Sequence, residues 1–230
     1  MKLDNRLASA AALVEGRTFI DIGTDHGYLP VWLLLNGVCE HASAADINPM
    51  PLESSRKNAI RYGVFDKMEF FLSNGFDSVS GVYDTAAICG MGGILMTDII
   101  ERGKGKFRSL VLQPMTNAEK VRKYLWDNGY TIEKENHCVS LGKAYAVIKA
   151  KYTGEMTEYT YSDTYLGKCE GQSGEYIAYC KKILSSAVKR LHGKTVRGED
   201  TTDEQSLADR CEAVINGFYA LHCVENVKKM

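Results

Sequence analysis

Apolar and polar positions follow two rhythms along the first two thirds of the chain. Short apolar runs at residues 18–23, 42–47, 68–72, 85–89 and 109–113 predict buried strands. Between them, apolar residues recur at three- and four-residue spacing and predict helices. Residues 4–15 form the first helix, with Leu3, Leu7, Ala11 and Val14 sharing a face. Residues 28–37 form the next, which Pro30 suits because proline fits a first helical turn. Residues 52–62 are entered through Asn48-Pro49-Met50-Pro51 and closed by Gly63. Residues 94–102 and 117–128 complete the helical set, the last stopped by Gly129.

Strand and helix alternate, which implies a mostly parallel sheet with right-handed crossovers. The rhythm then changes. Residues 130–140 and 143–152 are consecutive strands joined at Leu141-Gly142, so the last strand runs antiparallel. A seven-stranded sheet ending in a hairpin fits a methyltransferase-type α/β fold better than a nicotinamide domain, which adds a second βαβ half. From about residue 153 the pattern loosens around Gly154, Gly167, Gly171 and Gly174. Two helices follow at 175–192 and 202–229, separated by a loop from Gly193 to Gly198. Ile177, Ile183, Leu184, Val188 and Leu191 line the first; Leu207, Val214, Ile215, Phe218, Leu221 and Val224 line the second. The pair reads as an α-helical hairpin of coiled-coil character. The expected domains are 1–153 and 154–230.

Composition adds boundaries. The 230 residues are 45% hydrophobic and 25% charged, as in an ordinary soluble chain. No apolar run reaches the ~18 residues of a membrane span, and the start lacks a signal-peptide core, so a cytoplasmic protein is expected. The seven cysteines are scattered and form no CxxC pair, which predicts reduced thiols. No histidine pair has ligand spacing, so no metal site is expected. Net charge is −1, and any polyanion site must come from local clusters.

The stretch FIDIGTDHGYLP, residues 19–30, carries the most chemistry. A strand enters a glycine turn and then a helix, the place where many α/β folds bind a nucleotide-like cofactor. Asp25 and His26 break the usual glycine pattern. Asp21 and Asp25 are poor neighbours for a pyrophosphate and good ones for an ammonium or sulfonium, the groups of S-adenosyl-L-methionine. That cofactor's carboxylate would be held by backbone amides of the turn. Read blandly, the same residues are a tight turn with Asp25 capping a helix. Asp46, about twenty residues on, is placed to accept ribose hydroxyls from either a methyl donor or NAD, or to cap a turn. Asn74-Gly75 is placed to meet adenine, or is a simple turn. Cys89-Gly90-Met91-Gly92-Gly93 reads as a close-approach loop facing the methyl group, or as a tight turn before a helix. Cys89 reads as a buried strand thiol.

Taken in order, LDNRL, DIGTDHGYLP, ADINPMPL, SNGF, CGMGG and LQPMTNAEKVRKYL resemble the bacterial tRNA (adenine-22-N1)-methyltransferase family over about residues 1–150. The resemblance implies a Rossmann-like class I methyltransferase fold, S-adenosyl-L-methionine as cofactor, and tRNA as substrate. By motif it implies a cofactor site at Asp21, Gly23, Thr24, Asp25, His26, Gly27, Asp46, Ile47, Asn74, Gly75, Gly90 and Met91. Asn74 departs from the aspartate more usual in the family. Candidate catalytic residues are Asp4 and Asp25, to accept the adenine N6 proton, His26 to orient them, and Tyr28 to stack on the base; Asp4 and Arg6 could equally form a structural ion pair. A monomer is expected. Three basic clusters suit RNA: Arg102, Lys104, Lys106 and Arg108; Lys120, Arg122 and Lys123; and Lys181, Lys182, Lys189, Arg190, Lys194 and Arg197, which no acid interrupts. The alternatives are a methyltransferase of another RNA, a protein or a small molecule, an NAD(P)-binding oxidoreductase, and a non-catalytic RNA-binding module.

Overall fold

The structure, a computed structural model, describes residues 1–168 and 173–227, with side chains through Leu221. Gly171, Cys169, Cys223 and Val224 of the sequence reading lie outside the described residues or side chains. Five parallel strands open the sheet: β1 (Thr18–Ile22), β2 (His41–Asp46), β3 (Met68–Leu72), β4 (Tyr83–Gly92) and β5 (Phe107–Thr116). A hairpin closes it, β6 (Tyr130–Ser140) and β7 (Lys143–Tyr152). The order is β3-β2-β1-β4-β5-β7-β6, with β7 antiparallel to both neighbours. Leu141 and Gly142, at the hairpin tip, both have positive φ, 48° and 71°, the backbone that a tight two-residue turn requires.

The central strands are apolar on both sides because helices cover both faces. Phe19, Ala87 and Val111 point into one core with α1 (Asn5–Ala11), α2 (Tyr28–Leu35) and α3 (Pro49–Arg61). Their sequence neighbours Ile20, Ala86, Ile88, Leu110 and Leu112 point into the other, with α4 (Gly93–Arg102) and α5 (Ala118–Asp127). This two-residue alternation places Asp21 on the Phe19 side, where the sheet end opens.

Beyond the sheet lie α6 (Tyr161–Leu166), α7 (Gly174–Arg197) and α8 (Thr202–Val227). The first was not expected; a capping box between Thr160 and Asp163 starts it. The expected loop at Gly193 is helical, and α7 runs on to Gly198, whose φ of +69° ends it. In the hairpin core the predicted Leu207 is buried together with Tyr176, Cys180, Ala187 and Cys211, and the predicted Ile183, Leu184, Val214 and Ile215 pack against them. Val188, expected inside, is exposed. Tyr179 packs on Ala144 and Ala146 of β7 and joins this unit to the sheet.

Several element ends also differ from the sequence reading, among them the start of α3, which takes in Pro49, Met50 and Pro51 of the expected turn. Helix α1 stops at Ala11, short of Glu15. Strand β4 continues through Gly92, so the glycine-rich stretch is strand with register shifts rather than a turn. Strand β5 passes through Pro114 to Thr116 because Pro114 sits opposite the irregular Met91, where the regular ladder has already broken.

Candidate active site

The carboxyl ends of β1, β2 and β4 surround a cleft of ≈ 560 Å³. Where β1 ends, Gly23 turns the chain at φ +72°. The N–H groups of Gly23 and Thr24 both donate to the Ala45 carbonyl, at 2.8 and 3.0 Å, and tie the turn to β2. The Gly27 N–H donates back to Thr24 at 2.9 Å. Asp25 takes φ +52°, a left-handed conformation that aspartate tolerates. That backbone leaves its carboxylate in solvent and turns its N–H toward Asp46 Oδ2, 3.4 Å away.

Asp21 is only 4% exposed, and among the described residues the one hydrogen-bond partner of its carboxylate is the Thr24 hydroxyl, which donates at 2.8 Å. Burial pushes its carboxyl up to about 7; the Thr24 bond opposes the rise, and the Asp46 and Asp25 carboxylates add to it. Asp46 ends β2 and accepts the Asn48 N–H at 2.9 Å. At the β4 end, Gly90 has φ +79° and lies between register positions. Its N–H donates to Gln113 Oε1 at 3.2 Å, and Gln113 Nε2 donates to the Pro114 carbonyl at 3.2 Å. A buried side-chain amide thus replaces the ladder bond lost at the bulge. Met91 lies over the glycine turn, its Cε 2.0 Å from where a Cβ on Gly23 would stand.

The opposite lip comes from α1 and α2. His26 and Tyr28 rings lie 5.3 Å apart, and His26 Nε2 is 3.5 Å from the Asp25 carboxylate. Asp4 caps α1 by accepting the N–H groups of Arg6 and Leu7, both at 2.9 Å, and pairs with the Arg6 guanidinium at 2.8 Å. Partial burial works against its ionised form, but these bonds outweigh it and hold the carboxyl below the usual range. Burial pushes the Cys89 thiol well above its ordinary value, which suits a strand thiol rather than a nucleophile.

Comparison with known proteins decides what kind of site this is. A family model described as "Methyltransferase domain" matches residues 3–148. The chain belongs to the methyltransferase domain family. The tRNA (adenine(22)-N(1))-methyltransferase of Bacillus subtilis (strain 168) is 32% identical over 156 residues, 66% of this chain and 66% of that protein. Among solved structures, the B. subtilis M1A22 tRNA methyltransferase superposes with a TM-score of 0.74 at 25% identity, covering 94% of this chain and 98% of that one. A Streptococcus pneumoniae protein solved in complex with S-adenosyl-L-methionine superposes at 0.78, also at 25% identity, covering 91% and 98%.

In this methyltransferase the structure brings most sequence-predicted residues to one place. Asp21, Gly23, Thr24, Asp25, His26 and Tyr28 from the first crossover line the cleft, with Asp46, Ile47, Asn74, Gly75, Gly90 and Met91 from later strand ends. Gly27 does not line it. Its Cβ would stand 2.1 Å from Ser55 Oγ, so this glycine lets α2 start close against α3. Asp4 stays behind Arg6 as cap and ion partner, and it is Arg6 that reaches the cleft. Arg6 and Gln113 are the informative omissions of the sequence reading. Both sit within the quoted motifs LDNRL and LQPMTN, but nothing local to either says that it faces the cleft.

The basic clusters change meaning most. Arg122 is fully buried and bonded to Glu135. Arg102 pairs with Asp77 and Asp98, Lys104 with Glu101, and Arg108 with Asp84. The acid-free run on α7 finds its acid on α8: Glu204 lies 2.7 Å from Lys194 and 3.6 Å from Arg190. Among the described residues Lys181 and Lys182 have no acidic ion-pair partner, donating instead to the Tyr219 hydroxyl and the Ala144 carbonyl. Among the described residues no helix is long and apolar enough to cross a membrane, and no group of side chains could hold a metal ion.

Proposed function

We propose that this methyltransferase transfers a methyl group from S-adenosyl-L-methionine to N1 of adenine 22 in tRNA. The observation that carries the reading is the charge and shape of the cleft in a chain of this family. Carboxylates from the ends of β1 and β2 face a cavity in which Gly90 has no heavy atom within 4 Å of where its Cβ would stand. Such a site fits a cationic, phosphate-free ligand with ribose hydroxyls and repels a dinucleotide. The similarity to the B. subtilis enzyme supports adenine 22 as the target.

The bound cofactor supplies an electrophilic methyl carbon and a neutral thioether leaving group. Asp46 would accept the ribose hydroxyls, Asp21 would face the ammonium, and Asn74 would meet the adenine, all three lining the cleft. Adenine N1 carries a free lone pair once the base leaves its stack, so no strong general base is required. The protein's contribution is alignment and exclusion of water. Gly90 and Met91 bound the methyl-transfer end, and the His26–Tyr28 pair offers an aromatic surface for the flipped base. Asp25, beside His26 and exposed, is placed to accept the N6 proton as positive charge grows on the ring.

Incubation with methyl-labelled cofactor and unmodified tRNA, followed by nucleoside analysis, tests the reading. Labelled 1-methyladenosine is expected, and it should vanish when adenine 22 is replaced by guanine. Label in protein or small molecules only, or methylation that survives the replacement, would refute the assignment.

A further inference from the structure

Charge is unevenly distributed around the cleft. Three carboxylates, Asp21, Asp25 and Asp46, gather at the β1 and β2 ends, while Arg6 is the one lysine or arginine among the described lining residues. A guanidinium has five N–H donors. Arg6 uses Nη2 on Asp4 at 2.8 Å and Nη1 on the Met115 sulfur at 3.2 Å. Among the described residues its Nε–H and its other donors make no hydrogen bond. The side chain is held by a carboxylate that is itself fixed as the α1 cap, so its position is set before any ligand arrives.

The amino-acid tail of the cofactor carries an ammonium and a carboxylate on adjacent atoms. The ammonium is served by the acidic end. The carboxylate is not, because three acids repel it. The glycine turn offers it little: the N–H groups of Gly23, Thr24 and Gly27 are taken by backbone carbonyls, and that of Asp25 points at Asp46. Only His26 and the first N–H groups of α2 remain there. Arg6, Asp21 and Cys89, by contrast, all line the same cleft, so a guanidinium and a carboxyl meet at the β4 end. We infer that Arg6 anchors the α-carboxylate of the cofactor's amino-acid tail, paired across the β4 end with Asp21 for the ammonium. The inference rests on the reading of the cleft as a site for S-adenosyl-L-methionine.

Calorimetry with two ligands tests it: S-adenosylhomocysteine, which has the tail, and 5′-methylthioadenosine, which lacks it. The unaltered protein should bind the first more tightly. Arg6→Met should weaken S-adenosylhomocysteine by about 10- to 100-fold, the worth of a charged hydrogen bond, and leave 5′-methylthioadenosine unchanged. Arg6→Lys should recover part of the loss. If the unaltered protein binds neither ligand, the cofactor reading itself fails. If it binds both and Arg6→Met keeps S-adenosylhomocysteine affinity, the anchor is refuted and the reading stands. That result with a raised KM for tRNA would assign Arg6 to an RNA phosphate instead. Equal loss of both ligands would mean that Arg6 supports the cleft's shape, which also overturns the inference.

Discussion

The guanidinium of Arg122 on α5 lies 2.7 Å from the carboxylate of Glu135 on β6, and both side chains are shut away from water. Arg122 also donates to the carbonyls of Thr164 and Tyr165 at 2.9 Å and to the Tyr179 hydroxyl at 3.3 Å. One cation therefore fastens the sheet to α6 and α7. Removing it leaves Glu135 buried and unpaired, which costs about 3–5 kcal/mol. Arg122→Met should lower the melting temperature sharply and expose residues 154–168 to limited proteolysis. Arg122→Met with Glu135→Leu should recover much of the loss, because the stranded charge is gone. A single variant that melts like the unaltered protein would refute the tie.

Asp21 makes stability and ligand binding respond oppositely to pH. Its folded carboxyl sits at about 7 against an ordinary 3.8, so between those values the folded chain holds a proton that the unfolded chain releases. The ligand-free protein should lose stability as pH rises through this window and lose no more above it. Asp21→Asn should remove the penalty and stabilise the ligand-free protein at pH 8 by up to about 4 kcal/mol, with little gain at pH 4. Cofactor binding should tighten as pH rises toward 7 and release a proton, because an ammonium favours the ionised carboxyl. Thermal melts, and calorimetry in buffers of different ionisation heat, read both effects. Melts of the variant that stay parallel to the unaltered protein across pH would count against this account.

Gly23 and Gly27 occupy one turn at nearly equal φ but should differ in tolerance. A Cβ on Gly23 meets the flexible end of Met91, whereas one on Gly27 meets the Ser55 side chain and its Cα at 3.2 Å. Gly23→Ala should cost about 1–2 kcal/mol for the strained backbone and push Met91 into the cleft, so that ligand affinity falls. Gly27→Ala should cost more, about 3 kcal/mol, as overpacking adds to strain. Chemical denaturation of the two variants measures the order, and a reversed order would show that α2 and α3 separate easily.

Asp4 is a structural residue on this geometry. Asp4→Ala removes the α1 cap and should cost about 1 kcal/mol. It also frees Arg6, so cofactor affinity should fall more than stability does. Asp4→Asn, which keeps a capping oxygen, should spare stability while still weakening affinity. Melting curves and calorimetry on the two variants separate cap from charge.

What the sequence by itself determined is what depends on neighbours along the chain. Alternation of apolar runs with helical spacing marked β1 to β5 and their crossovers, since period follows from backbone geometry. Leu141-Gly142 marked the hairpin because few residue pairs accept its turn. Asp21, Gly23 and Asp46 were legible as neighbours at one cleft because strand ends and a glycine turn are local signals whose assembly the parallel sheet guarantees. Only the tertiary structure decided the fate of the charges. Arg122 and Lys123 are adjacent in sequence, yet one is buried against Glu135 and the other sits at the surface with Asp127. The basic run on α7 meets Glu204 only because α8 folds back on it. Arg6 and Gln113 reach the cleft through the packing of α1 and the register of β5. An ion pair or a cleft-facing side chain is a contact between distant segments, and no periodicity or turn chemistry encodes which segments meet.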